Sequence, residues 1–116
     1  MILYGIKNCN TVKSAVDWLK KHAVEFEFHD YKKSGITKAK LAKWSKQVGW
    51  ESLVNKRGTT WRQLDEAIQK KVTSENAAID LMMAKTSVIK RPLIENKGKV
   101  ILLGFDEVEY TKKLSK

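Results

Sequence analysis

The sequence predicts an α/β fold in which a mixed four-stranded sheet is laid out as β-α-β, then an all-helical stretch over about residues 35–86, then β-β-α. Three observations carry this. The apolar run "ILYGI" gives way to an amphipathic helical pattern and then to the alternating "EFEFHDY". A long middle stretch follows in which apolar residues recur only at helical spacing. Last, "SVIKRPLIENKGKVILLGF" holds two β-rich segments around "ENKGK", a hairpin signal.

Each element has its own justification. "ILYGI" is a short strand ending near Gly5. From Asn10 onward Val12, Ala15, Val16, Leu19 and Ala23 form one helical face and Lys13, Asp17, Lys20 and Lys21 the other, with Asn10 or Thr11 able to cap. Phe26 and Phe28 alternate with Glu25 and Glu27, which predicts a strand with the phenylalanines buried. "KKSG" reads as a turn. Thr37 opens a helix whose Leu41, Trp44 and Val48 share a face, and Gly49 ends it. "WESLVNKRGTTWRQLDEAIQKK" breaks into short helical pieces. Ser74 caps a further helix with Ala78, Ile79, Met82 and Met83 as core. The chain closes with a helix from Asp106, where Asp106 and Glu109 have capping-box-like spacing and Phe105, Val108 and Leu114 face the core. With no repeat, low-complexity tract or linker, residues 1–116 are expected to form one domain, with the helical block as an insertion.

The 116 residues are enough to bury a core without disulfides or a structural metal. "MILYGI" is too short for a secretory signal, no apolar stretch approaches a membrane span, and the single cysteine cannot form an internal disulfide, so a soluble protein of the reducing cytoplasm is expected. A monomer is the separate expectation for its oligomeric state. Lysine and arginine total 23 against 13 acidic residues, a formal +10. The excess is almost all lysine, as on solvated helix faces. No recognition-helix motif, zinc-ligand spacing or basic-aromatic interleaving is present, so neither direct nucleic-acid binding nor a metal site is expected. His22 reads as a helix C-terminal residue, His29 as structural, and Trp61 as core.

Cys9 falls at the turn from the first strand into the first helix. There the unpaired amides and the helix macrodipole stabilise a thiolate, the reactive form, and Lys7 adds positive potential. The only proline, Pro92, begins the hairpin, a place where its missing amide donor is tolerated. This order of elements, with a cysteine at the first helix N-terminus, is the thioredoxin-like layout. In such folds a cis-proline stands opposite the cysteine, with the preceding backbone, here that of Arg91, turned towards an extended thiol peptide.

"YGIKNCNTVK", "FHDYKKSG", "LVNKRGTTWRQL" and "VIKRPLIE", in that order, resemble the arsenate reductase and Spx family, most closely its YffB-type branch. The resemblance spans nearly the whole chain. It implies a thioredoxin-like fold with a helical subdomain and a nucleophilic Cys9. In arsenate reductases arginines that bind the oxyanion, and a nearby histidine, support that cysteine. Arg91 carries over. The second arginine's place holds Asn55, with Arg57 close by, the third falls near Gly104, and the histidine falls at Gly5. Neither a Cys-x-x-Cys motif nor any other resolving cysteine is present.

The reading that follows is a glutathione-dependent thiol oxidoreductase. Cys9 is the nucleophile and forms a mixed disulfide that an external thiol resolves. Arg91, Arg57, Lys7, Asn10, Thr11 and Pro92 bind the substrate. No cofactor is bound, glutathione is the cosubstrate, and glutaredoxin is a further partner. The alternatives are an arsenate reductase proper, which needs a fuller oxyanion site, and an Spx-like non-catalytic partner of RNA polymerase.

Overall fold

The computed structural model describes residues 1–115, which divide into two compact units. One is formed by Met1–Ser34 with Arg91–Lys116, the other by Gly35–Lys90. In the first, β1 (Ile2–Gly5) leads to α1 (Asn10–Lys21), β2 (Glu27–Asp30) and the single turn α2 (Tyr31–Ser34). The second unit runs through α3 (Lys38–Val48), α4 (Trp50–Leu53), α5 (Thr59–Arg62), α6 (Glu66–Lys71), α7 (Glu75–Ala84) and a 3₁₀ turn (Thr86–Val88). The chain then returns to the first unit for β3 (Leu93–Asn96), β4 (Lys99–Leu103) and α8 (Glu107–Leu114).

The sheet is mixed, in the order β2-β1-β3-β4. β1 and β2 are parallel, with Leu3 opposite Phe28 and Tyr4 opposite His29. The pairs β1–β3 and β3–β4 are antiparallel, with an irregularity between Ile94 and Glu95. The hairpin turn is Lys97-Gly98, both at positive φ (52° and 83°), the geometry that lets a two-residue loop follow the strand twist. One face of the sheet is built on Leu3, Ile94 and Leu102, against which Val12, Ala15, Trp18 and Leu19 of α1 and Tyr110 of α8 are buried. Tyr110 is fixed at both ends: its ring meets Phe105 edge-on and its hydroxyl donates to the Gly104 carbonyl at 2.7 Å.

In the helical unit α3, α4 and α7 pack on one another, with Leu41, Trp44, Leu53, Ile79 and Met82 fully buried. Thr37 Oγ1 accepts from the Lys40 amide and Ser74 Oγ from the Ala77 amide, so both helix starts fall where the sequence puts them. Gly49, at φ 85°, ends α3 by donating to the Ser45 carbonyl. Val88 and Ile89, expected to run into the hairpin, belong to this unit instead, and Ile89 bridges Val54. Trp61 is buried as expected, with Lys56 Nζ 5.4 Å above its ring.

Several expectations are corrected. Cys9 itself, rather than Asn10 or Thr11, is the N-cap of α1. "YKKS" is a helical turn, and the break comes at Gly35, φ 66°. Phe28 is 38% exposed, because β2 is an edge strand that α1 does not fully cover. Trp18 takes the buried place on α1, while Ala23 lies beyond the helix, exposed, at φ 55°. Met83 (42% exposed) and Val108 (61%) point away from the core, and Tyr110 does what Val108 was expected to do. Among the described residues no helix is long and apolar enough to cross a membrane.

Candidate active site around Cys9

The last residue of β1 is a glycine at a place where α1 passes too close for anything larger. A Cβ there would stand 2.9 Å from Val12 Cγ2 and 3.2 Å from Val12 Cγ1. This contact draws the start of α1 against the end of β1 and leaves Ile6, Lys7 and Asn8 to make the turn. Asn8 takes φ 65°, a conformation that asparagine tolerates better than most residues. Cys9 follows in extended geometry, and its carbonyl accepts the first helical bond, from the Lys13 amide at 2.9 Å.

The half-buried thiol makes no side-chain capping bond of the usual kind, but the amides of Val12 and Thr11 lie where they stabilise its anion. Partial burial pushes the thiol up. That effect is outweighed by the Val12 amide, by the hydrogen bond and charge of the Arg91 guanidinium, and by the Thr11 amide, so Cys9 lies below the ordinary thiol range. No acidic residue occupies the first turn of α1 to oppose this. Lys7 is exposed and is not among the groups that lower the thiol.

Arg91 is brought to the sulfur by the sheet. β3 runs antiparallel to β1, so the residues entering β3 stand at the end of the sheet where β1 gives way to the Cys9 turn. The Arg91–Pro92 peptide is cis, and the Pro92 carbonyl is fixed by the Gly104 amide at 2.7 Å. Beneath Arg91, on the sheet face opposite Leu3, lies a polar cluster that sequence reasoning missed. The Tyr4 hydroxyl donates to buried Glu95 Oε1 at 3.1 Å, and the rings of Tyr4, His29 and Tyr31 lie 4.8–6.0 Å apart. Burial and the Glu95 charge push Tyr4 up to about 12. Tyr31 is held far above the usual phenol range, chiefly by burial, with the Arg91 charge acting against it. The available signal was a carboxylate inside the apolar run "PLIEN", with Tyr4 in "ILYGI" opposite His29 of "FHDY" and Tyr31 two residues on.

Cys9 also lines a surface groove of about 850 Å³, together with its neighbours Lys7, Asn8 and Asn10; Arg91, which engages the thiol, is not among the lining residues. Farther along, the groove is lined by Lys13, Val16 and Lys20 of α1 and by Phe26 and Phe28 at the sheet edge. Thus Lys7, Asn10, Thr11, Arg91 and Pro92 all belong to the unit that carries Cys9. Arg57 belongs to the helical unit, exposed in a turn where its amide donates to Asn55 Oδ1 at 3.2 Å. The positions of two further family groups are closed to large side chains: Gly5 by the Val12 contact, and Gly104 by burial at φ 86°. Among the described residues no cluster of His, Cys, Asp or Glu is suited to a metal.

The ArsC family model matches residues 4–113. The solved structure of a YffB protein superposes with a TM-score of 0.91 at 46% identity, covering 98% of each chain. An arsenate reductase (ArsC) related protein from Brucella melitensis is 41% identical, with a TM-score of 0.78 over 99% of this chain and 94% of that one. The global transcriptional regulator Spx of Streptococcus pyogenes is 28% identical over 98% of this chain and 84% of its own length. These likenesses bear out the thioredoxin-like fold and the YffB-type resemblance, and the chain belongs to the ArsC family.

Proposed function

We propose that this ArsC-family chain is a glutathione-dependent thiol oxidoreductase. The observation that carries the reading is Cys9 itself: the only cysteine of the chain, accessible, with its anion stabilised by the Val12 and Thr11 amides and by Arg91. In the proposed cycle the Cys9 thiolate attacks one sulfur of a disulfide. A Cys9 mixed disulfide forms, the substrate S–S bond breaks, and the departing thiolate takes a proton from water. With no second cysteine in the chain, the mixed disulfide is resolved by an external thiol, glutathione or a glutaredoxin. Arg91, with Lys7 and the exposed amides of the turn, supplies positive groups for glutathione's carboxylates.

The test is mass spectrometry of the intact protein after oxidised glutathione. A single glutathione adduct is expected on the wild-type chain, removed by reduced glutathione and absent from Cys9→Ser. A folded wild-type protein that takes no adduct overturns the reading and leaves a non-catalytic role of the regulatory kind, as the name of the Spx relatives suggests.

A further inference from the structure

The groove beside Cys9 has a composition that glutathione does not call for. Cys9, Lys13, Val16 and Lys20 fall at intervals of four, three and four residues, so they form one stripe along α1. With about 1.5 Å of rise per residue the stripe runs about 16 Å along the helix axis from the Cys9 backbone to that of Lys20. Its opposite wall is Phe26 and Phe28. Phe28 keeps 38% of its surface exposed on an edge strand, and Val16 is only half-buried. Apolar surface left open beside the residue that carries the thiol, and bordered by ammonium groups, matches a ligand that is apolar in its body and anionic at its rim. A peptide disulfide as polar as glutathione's would leave the phenylalanine wall unused.

We propose that the preferred substrate of Cys9 is an amphipathic anionic disulfide: one whose apolar, aromatic or long aliphatic portion lies along Val16, Phe26 and Phe28 while its carboxylate meets Lys13 or Lys20. The proposal rests on the thiol-exchange reading and names the substrate class of that same site. The chemistry is unchanged. The Cys9 thiolate bonds to the near sulfur, the S–S bond breaks, and the apolar thiolate on the far sulfur leaves and is protonated by water. Lys13 and Lys20 steer the anion into the groove, so this preference weakens with ionic strength.

Three disulfides separate the contributions: dithiobis(nitrobenzoate), which is aromatic and anionic; dipyridyl disulfide, aromatic and uncharged; and hydroxyethyl disulfide, small and uncharged. The quantity to measure is the second-order rate at Cys9 with each, expressed as a ratio to hydroxyethyl disulfide. Intrinsic reagent reactivity then cancels between wild type and variant, as does any change in the Cys9 thiol. Phe28→Ala is expected to lower both aromatic ratios by about three- to tenfold, the worth of one partly buried aromatic contact. Lys13→Gln with Lys20→Gln is expected to lower the anionic ratio alone by a similar factor and to flatten its salt dependence. These lysines are exposed, so this arm does not depend on how Phe28→Ala folds. If both variants keep wild-type ratios while hydroxyethyl disulfide still reacts at Cys9, the substrate-class proposal is overturned and thiol exchange stands. If no disulfide reacts at Cys9 of the folded wild type, both fall together.

Discussion

The donors that lower the Cys9 thiol differ in how visible they are in a sequence. The Val12 and Thr11 amides follow from its place before a helix and need no particular side chain, whereas Arg91 is distant in the chain and is delivered by strand pairing. Arg91 is therefore the group to change. In wild type the alkylation rate of Cys9 is expected to reach half its maximum below the ~8.5 of a free thiol. Arg91→Ala should move that midpoint upwards, and Arg91→Lys should restore it only in part, because an ammonium lacks the planar fork of donors. Iodoacetamide labelling across pH checks both, and an unmoved midpoint in Arg91→Ala would assign the lowering to the helix amides alone. The same linkage has a sign in stability. The folded thiol titrates below its unfolded value, so Cys9 contributes stability above the unfolded value and loses it as pH falls through the folded one. The stability gap between wild type and Cys9→Ser is thus expected to be wider at about pH 9 than at about pH 6, as read from urea unfolding.

At the scale of the element, what was legible depended on how local the determining contacts are. The starts of α3, α7 and α8 are set by hydroxyl or carboxylate oxygens accepting amides two or three residues on, and Thr37, Ser74 and Asp106 announce them in the sequence. The Lys97-Gly98 hairpin is equally local. Burial is not. Phe28 alternates correctly for a buried face, but whether that face is covered depends on the reach of α1, which no period in "EFEFHDY" records. Likewise Trp18 and Tyr110 meet edge-on with ring centroids 5.5 Å apart, a pairing of two helices from opposite ends of the chain. The approach of α1 to β1 gives the sharpest test at this scale. Gly5→Ala places a Cβ 2.9 Å from a methyl of buried, β-branched Val12, which has little freedom to turn aside. A loss of about 1–3 kcal/mol is expected, as for other overpacked cores. Val12→Ala in the same chain should recover part of it, so the two changes are expected to be non-additive in thermal or denaturant unfolding. Additive losses would show that the glycine is needed for another reason.

At the scale of the whole molecule, the choice between arsenate and glutathione depends on where a long chain can bring positive groups together. A small tetrahedral oxyanion needs several charge-assisted donors converging on one point, whereas a tripeptide disulfide presents separated carboxylates that dispersed cations satisfy. The net charge of +10 suits the second demand better than the first, because it is spread over exposed lysines. Around Cys9 only Arg91 is a guanidinium already engaged with the sulfur. Position 5 admits no side chain beyond hydrogen without moving Val12, and position 104 is buried at a φ that favours glycine. The first closure is made by the buried Val12 side chain and the second by the backbone, so exchanging a surface residue removes neither. Each missing charge-assisted bond is worth roughly 1.5–3 kcal/mol, and the absence of two arginines should therefore cost arsenate turnover several orders of magnitude relative to a fully equipped site. Cys9 is expected to exchange readily with oxidised glutathione while reducing arsenate slowly or not at all, even with glutathione and glutaredoxin supplied. Arsenite formation followed beside glutathione exchange in the same preparation checks this. Efficient arsenate turnover that disappears in Cys9→Ser would overturn it, and would mean that lysines and turn amides do the work of the absent guanidinium groups.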